Sequence, residues 1–174
     1  MLRSIRPWLG LAARLLLGGV WIFAGALKVG DPNASITAVR AYQLLPLGAA
    51  ELVGRVLPTL ELVLGVCLVI GLLTRFSGVV SALLQVAFII GIASVWARGI
   101  SINCGCFGDG GLDPDAIGKY PWEIARDVGL LALSLFLVLW PRTRLSVDAL
   151  LFPQAPAAAG DVESDEEEDV QARS

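Results

Sequence analysis

Two cysteines separated by one glycine are the residues in this sequence best suited to chemistry. Cys104 and Cys106 flank Gly105, whose missing side chain eases the tight backbone of a small disulfide ring. Because small, strained disulfides tend to be more oxidising and more labile than structural ones, the pair suits thiol–disulfide exchange. Two other interpretations stay open. One is a static bridge that pins the loop, and the other is a metal site, although closed zinc sites need four ligands.

Histidine is absent from the 174 residues. Its absence removes the most common general base, the most common zinc ligand and every Ser-His or Cys-His nucleophile. The third cysteine, Cys67, lies inside an apolar segment and is interpreted as a small packing residue. The cysteine pair is therefore the candidate catalytic site, and no cofactor is expected. We expect a redox accessory protein rather than a stand-alone enzyme.

The chain is far more apolar than an ordinary soluble domain, since 56% of its residues are hydrophobic and 17% are charged. The excess falls in four blocks, at about residues 7–29, 48–73, 76–96 and 124–140. The first block is too long for the apolar core of a signal peptide, and all four approach or exceed the length that crosses a bilayer. The second and third are joined only by Thr74-Arg75, which predicts an antiparallel hairpin. The blocks predict an all-α integral membrane protein, a four-helix bundle in the lipid bilayer.

Four charged residues lie inside the apolar blocks, where an unpaired charge is costly: Arg14, Glu51, Arg55 and Glu61. Glu51 and Arg55 are four residues apart, so they share a helix face and can pair. Arg14 and Glu61 fall at similar depths when counted from the ends of their blocks, which predicts an ion pair between the first two spans. A protonated, hydrogen-bonded Glu61 is the alternative. We interpret all four residues as structural charges, and a proton path stays open as the alternative.

Two loops are long enough to hold structure outside the membrane. Residues 30–47 carry apolar side chains at near-helical spacing, which fits a short interfacial helix or a plain loop. Residues 97–122 contain the cysteine pair. With four spans, both termini lie on one side of the membrane and both loops on the other.

The basic residues do not decide the orientation by count, because five lie on each side. Those on the side of the termini are Arg3, Arg6, Arg75, Arg142 and Arg144, and those on the side of the loops are Lys28, Arg40, Arg98, Lys119 and Arg126. The arginines nearest the two termini favour termini in the cytoplasm, since the first helix often dominates. The cysteine loop then lies outside the plasma membrane.

The C-terminal segment differs in composition from the rest of the chain. Residues 161–174 carry a net charge of −6, although the whole chain carries only −3, so the membrane part is basic. An acidic, polar segment of this kind cannot bury apolar surface. We therefore expect a membrane domain over residues 1–152 and a disordered acidic tail over residues 153–174. The acidic balance argues against nucleic acid as a partner.

Several segments resemble the MauE/DoxX group of redox-associated membrane proteins, and the MauE family most closely. They are the opening helix RLLLGGVWIFAGALKVGDP, the stretch YQLLP, the helix pair PTLELVLGVCLVIGLLTRFSG and the loop INCGCFGD. The resemblance implies a four-helix membrane protein associated with methylamine utilisation. There, such proteins support maturation of the disulfide-rich small subunit of methylamine dehydrogenase, beside thioredoxin-like partners outside the cytoplasm. It also implies that Cys104 and Cys106 are the redox pair.

The expected function is therefore extracytoplasmic thiol–disulfide redox that matures a disulfide-containing partner. A thioredoxin-like protein and further copies of this chain are the expected associates. Two alternatives stay open. One is a membrane scaffold that docks a thioredoxin-like partner, in which the cysteines only shape the loop. The other is a small-solute transporter that uses Glu61 and Arg14, although no pair of broken helices points to a site at the midplane.

Overall fold

The structure is a computed structural model that describes residues 2–107 and 110–140, with side chains described from residue 8 onward. It is mostly helical, as predicted. The elements in chain order are α1 (Leu2–Val29), α2 (Pro32–Ala41), α3 (Leu47–Ile70), α4 (Thr74–Ala97), β1 (Ile102–Cys104), β2 (Gly110–Leu112) and α5 (Ala116–Leu139). The segment predicted to be a disordered acidic tail, residues 153–174, lies outside the described residues.

Three helical segments are long and apolar enough to cross a membrane: Trp8–Val29, Leu47–Ile70 and Thr74–Ala97. Many of their large apolar side chains point away from the protein interior. Leu52, Phe76 and Leu83, for example, each expose about two-thirds of their surface. Since lipid tails would cover such side chains, the outer surface of the helices fits a lipid bilayer.

α5 corresponds to the fourth predicted span but begins earlier than expected, at Ala116 instead of near residue 124. Pro121 and Trp122, which precede the predicted block, lie within the helix. The first half of α5 carries several charged side chains, and α5 is therefore not among the three segments that qualify as membrane spans by length and composition.

Close backbone contacts bring α1 and α3 together. α1 packs mainly on α3 and α4 mainly on α5, while α1 also contacts α5 and α3 contacts α4. A Cβ on Gly18 would lie 2.9 Å from the carbonyl oxygen of Gly65, and one on Gly25 would lie 2.8 Å from that of Pro58. Small residues that allow such an approach are typical of helix packing in lipid. These contacts set the register between the two helices.

Arg14 binds the carboxyl end of α3 and not Glu61. Its side chain is fully buried, and its guanidinium donates hydrogen bonds to the carbonyl oxygens of Leu68, at 2.9 Å, and Val69, at 3.0 Å. Carbonyls in the last turn of a helix lack their full set of partners and carry the negative end of the helix dipole. The predicted Arg14–Glu61 ion pair is wrong, because the register of α1 on α3 places Arg14 beside Val69, roughly 12 Å beyond Glu61 along the axis.

A three-residue turn joins α3 to α4. Gly71 ends α3 with a left-handed backbone, φ +73°, and Leu73 precedes α4 with φ +49°. The turn therefore lies at residues 71–73, whereas the sequence predicted it at Thr74-Arg75, and α4 begins at Thr74. Gly71 ends α3 because it adopts the left-handed conformation, although the apolar block continues to Leu73.

α2 and the β1–β2 hairpin lie together at the end of the structure where α1 finishes and α5 begins. Asp31 caps α2 by accepting a hydrogen bond from the Ala34 N–H at 3.0 Å, and Pro32 occupies the first turn. Of the two interpretations of this loop, the helix is therefore right. β1 and β2 pair antiparallel, with Cys104 opposite Gly110, and this short hairpin was not predicted.

Candidate functional site

Cys104 and Cys106 flank a tight turn at the end of β1. Gly105 between them has a left-handed backbone, φ +68°, which favours glycine. The Cys106 N–H donates to the Cys104 sulfur at 3.4 Å, and the Cys106 thiol donates to the Cys104 carbonyl oxygen at 3.9 Å. Both cysteines are free thiols, so the structure describes the reduced pair. Cys106 is only 7% exposed and Cys104 is half-buried, which makes Cys104 the more accessible sulfur.

Two tyrosines hold the backbone of this turn in place. The Tyr42 hydroxyl donates to the Cys104 carbonyl oxygen at 2.7 Å. The buried Tyr120 hydroxyl accepts from the Ile102 N–H at 3.0 Å and lies 2.8 Å from the Ile100 carbonyl oxygen, to which it can donate. Neither tyrosine was predicted from the sequence as part of the site, although Tyr42 opens the YQLLP stretch that carries the family resemblance.

α2 packs directly against the cysteine turn. A Cβ on Gly105 would lie 2.7 Å from the Ala38 Cβ, and a Cβ on Gly110 would lie 2.9 Å from the Ala38 Cα. Gly105 is therefore required both for its backbone conformation and for the space that α2 occupies. A side chain at either position would push α2 away from the turn.

Hydrogen bonding between the two cysteines separates the acidities of their thiols. Hydrogen bonding from Cys106 lowers the pKa of the Cys104 thiol, although burial opposes it. The same interaction, together with deep burial, raises the pKa of the Cys106 thiol well above the range of an ordinary thiol. The nearby Arg126 guanidinium acts to lower the pKa of both. Because the thiolate is the nucleophile, Cys104 suits the first attack and Cys106 suits the later, resolving one.

Cys106 lies between two small cavities, each with room for about one or two water molecules. The polar side chains that line the first cavity are Glu61, Gln85, Arg126 and Asp127. The second cavity lies under α2, and its polar lining consists of Lys28, Ser35, Tyr42 and Cys104. Phe88 lines both cavities. The inner side of the cysteine pair therefore faces a buried polar region.

Lys28 and Glu61 form a buried ion pair across α1 and α3. The Lys28 Nζ lies 2.7 Å from Glu61 Oε1 and 2.9 Å from Oε2, and the two side chains are 4% and 0% exposed. Each residue lines one of the two cavities beside Cys106. The Lys28 Nζ also lies 5.8 Å from the centre of the Phe88 ring, within cation–π range. Lys28 was not predicted as a partner of Glu61, because a lysine at the end of an apolar block suggests a residue at the membrane surface.

The other predicted intramembrane charges lie away from the cysteine pair. Glu51 and Arg55 pair at 2.6 Å on the exposed surface of α3, which confirms that prediction. Neither of them lines a cavity beside Cys106. Arg14 lies at the carboxyl end of α3, whereas α2 and the cysteine turn lie at its amino end. Of the four predicted charges, the structure brings only Glu61 to the site.

α5 contributes two charged residues that were not predicted as site residues. Asp127 Oδ1 lies 2.8 Å from Arg126 Nη2, and the Arg126 guanidinium lies 4.8 Å from the centre of the Phe107 ring. The Asp127 side chain is 3% exposed, and its Oδ2 has no hydrogen-bond partner within residues 2–107 and 110–140. Adjacent opposite charges early in an otherwise apolar block are the signal in the sequence that could have found them.

The comparison with known families decides the assignment. A family model described as methylamine utilisation protein MauE matches residues 6–141, from the first turns of α1 to just past the end of α5. The chain belongs to the MauE family. The match confirms the MauE part of the resemblance, and together with the apolar helices it identifies a membrane protein. The relation to DoxX proteins stays a prediction. No curated protein and no solved structure matches the chain.

Proposed function

We propose that this MauE-family protein carries out thiol–disulfide exchange through Cys104 and Cys106 at the outer face of the plasma membrane. The observation that carries the proposal is the unequal environment of the two thiols. Cys104 is half-buried with a lowered pKa, whereas Cys106 is buried with a raised pKa. An exchange pair uses such a division between an attacking and a resolving thiol, whereas a static bridge has no use for it.

The exchange is a sequence of two attacks. The Cys104 thiolate attacks one sulfur of a partner's disulfide, and the other partner sulfur leaves with the bonding electron pair. Cys106 then gives up its proton and attacks the Cys104 sulfur, and the partner's second sulfur leaves as a thiolate. The partner's disulfide is thereby reduced to two thiols, and Cys104 and Cys106 are oxidised to a disulfide. The reverse sequence oxidises a partner's dithiol.

The proposed exchange moves no electrons across the membrane, because both attacks take place at the cysteine turn. The remaining cysteine of the chain, Cys67, lies near the carboxyl end of α3, opposite the end that contacts α2, so it cannot relay electrons from the turn. A second thiol protein is therefore needed to regenerate the pair, and a thioredoxin-like protein outside the cytoplasm is our candidate. The family description supports methylamine utilisation as the process. A disulfide-containing subunit is our candidate for the client.

We propose that α5 is a fourth span, so that both termini are cytoplasmic and the cysteine turn is outside. α5 has 24 residues, roughly 36 Å at 1.5 Å per residue, and packs along α4. Two of the five basic residues on the loop side pair with buried carboxylates, because Lys28 is buried against Glu61 and Arg126 binds Asp127. Without these two, three basic residues remain on the loop side against five on the side of the termini, which favours termini in the cytoplasm.

Equilibration with a redox buffer tests the proposed exchange. Protein purified in detergent is incubated in glutathione buffers from reducing to oxidising, quenched with acid and alkylated, and the alkylated cysteines are counted by mass spectrometry. We expect Cys104 and Cys106 to lose and regain their free thiols together and reversibly. Cys67→Ser is the matched control and should keep the transition.

Two results would contradict exchange. In the first, both thiols remain free in oxidising buffer. In the second, they form a disulfide that reducing buffer cannot reopen while the protein remains folded. Either result would favour the docking scaffold over exchange.

A further inference from the structure

Asp127 and Gln85 present unsatisfied hydrogen-bonding atoms in the region of the first cavity beside Cys106. Each residue is 2% exposed, and within the described part of the chain neither Asp127 Oδ2 nor Gln85 Oε1 has a hydrogen-bond partner. Both residues and Cys106 line this cavity, which has room for about one water molecule. Buried acceptors without a partner are costly, and internal water commonly satisfies them. A carboxylate, an amide oxygen and a thiol therefore surround a site suited to one hydrogen-bonded water.

The resolving step of the proposed exchange needs an acceptor for one proton. Cys106 must become a thiolate before it attacks, and its burial favours the protonated thiol. Solvent reaches little of this residue, so the acceptor has to be a buried group of the protein. The cavity contains the carboxylate of Asp127, which has one oxygen bound to Arg126 and the other unpartnered among the described residues.

We infer that Asp127 accepts the proton of Cys106 through a water held in this cavity, and that Gln85 orients that water. The inference rests on the proposed exchange function. As the proton passes to the Asp127 carboxylate, the Cys106 sulfur forms its bond to Cys104, and the bond between Cys104 and the partner sulfur breaks. The partner leaves as a thiolate with the electron pair. When the pair is reduced again, Asp127 returns the proton to Cys106.

The other ionisable groups around the cysteine pair are less suited to this role: Lys28, Tyr42, Glu61, Glu123 and Arg126. Both oxygens of Glu61 are bonded to Lys28. The hydroxyl of Tyr42 already donates to the Cys104 carbonyl oxygen. Glu123 lines neither cavity, and Arg126 is a cation. The polar side chain that α4 adds to the lining of the first cavity, Gln85, is uncharged.

A chromogenic aromatic disulfide, dithiobis(nitrobenzoate), separates the two attacks because each releases one coloured thiolate. In a Cys67→Ser background, the first release reports Cys104 and the second reports Cys106. We expect Asp127→Asn to slow the second release at least about tenfold and to change the first by less than about threefold. In the parent protein the second release should slow at acid pH, where the carboxylate becomes protonated. In Asp127→Asn it should depend only on ionisation of the thiol and rise steadily toward alkaline pH.

Two further variants keep the test decisive. Glu51→Gln is the matched change of carboxylate to amide on the exposed surface of α3, and it should leave both releases unchanged. Gln85→Leu should slow the second release alone, and it replaces Asp127→Asn if that variant does not fold. If the second release is as fast in Asp127→Asn or Gln85→Leu as in the parent, the inference is overturned and the exchange function stands. If the parent releases no second thiolate, the exchange function fails and the inference with it.

Discussion

Lys28 on α1 and Glu61 on α3 form an ion pair that is almost wholly removed from the surface, with the ammonium within 2.9 Å of both carboxylate oxygens. In an apolar interior neither charge is stable alone, so each residue requires the other. The pair also borders the two cavities that flank Cys106. It therefore links the packing of two apolar helices to the position of the thiol that resolves the exchange.

Breaking this ion pair should destabilise the protein strongly. Glu61→Gln leaves the Lys28 ammonium buried without a counter-charge, and we expect the free energy of unfolding to fall by about 3–5 kcal/mol. The control is Glu51→Gln, which removes a carboxylate from its exposed pairs with Arg40 and Arg55 and should cost less than about 1 kcal/mol. Denaturant unfolding in detergent micelles measures both changes. Equally small losses in the two variants would show that the buried pair is not needed for stability.

Gly71→Ala should disrupt the contact between α1 and the end of α3. The new methyl group would collide with the Arg14 guanidinium, and the left-handed backbone at this position costs about 1–2 kcal/mol for a residue with a Cβ. We expect a loss above about 2 kcal/mol in the same unfolding measurement. Gly19→Ala is the control, because no neighbouring element comes within 4 Å of the place its methyl group would take, and alanine favours a helix. A Gly71→Ala protein as stable as the Gly19→Ala protein would contradict the assigned role of Arg14.

The pH profile of Cys104 alkylation should depend on Cys106. The pKa of the Cys104 thiol is lowered chiefly by the hydrogen bond from Cys106, so Cys106→Ala should raise it and move the iodoacetamide profile toward alkaline pH. Less thiolate is then present at neutral pH, and alkylation there becomes slower. Cys106→Ser retains a donor and should give a smaller shift. The measurement uses a Cys67→Ser background, and coincident profiles for the parent and Cys106→Ala would speak against the hydrogen bond.

Labelling in intact cells should show which side of the membrane carries the cysteine turn. After mild reduction, a membrane-impermeant maleimide should label Cys104 without lysis. The control places a cysteine at the exposed Arg75, at the opposite end of α4, in a cysteine-free background, and this site should react only after permeabilisation. The reverse pattern would place the turn in the cytoplasm.

Much of the helical framework could be predicted from the sequence, because the length of an apolar block is a local property. α1, α3 and α4 end within a few residues of their predicted blocks. The start of α5 was missed because its first half mixes charged and apolar residues. The fold accounts for one of these charges, because it places Asp127 beside Cys106 in one cavity.

The pairing of the buried charges could not be predicted, because it depends on the register between helices. Counting from block ends placed Arg14 level with Glu61. The close contacts of Gly18 with Gly65, and of Gly25 with Pro58, set a different register. The cysteine pair, in contrast, could be selected as the candidate site from spacing alone, since two thiols around one glycine require no knowledge of tertiary structure.

Covalent capture of the partner in cells tests the exchange most directly. In Cys106→Ser the Cys104 thiolate can still attack, but no thiol resolves the mixed disulfide. We predict an adduct that migrates above the monomer on a non-reducing gel, disappears with dithiothreitol and contains a thiol protein from outside the cytoplasm. Cys104→Ser should give little adduct, and Cys67→Ser should give none. Absence of an adduct in both Cys106→Ser and Cys104→Ser, with unimpaired methylamine-dependent growth of a host carrying the Cys104→Ser/Cys106→Ser double variant, would contradict the proposed exchange.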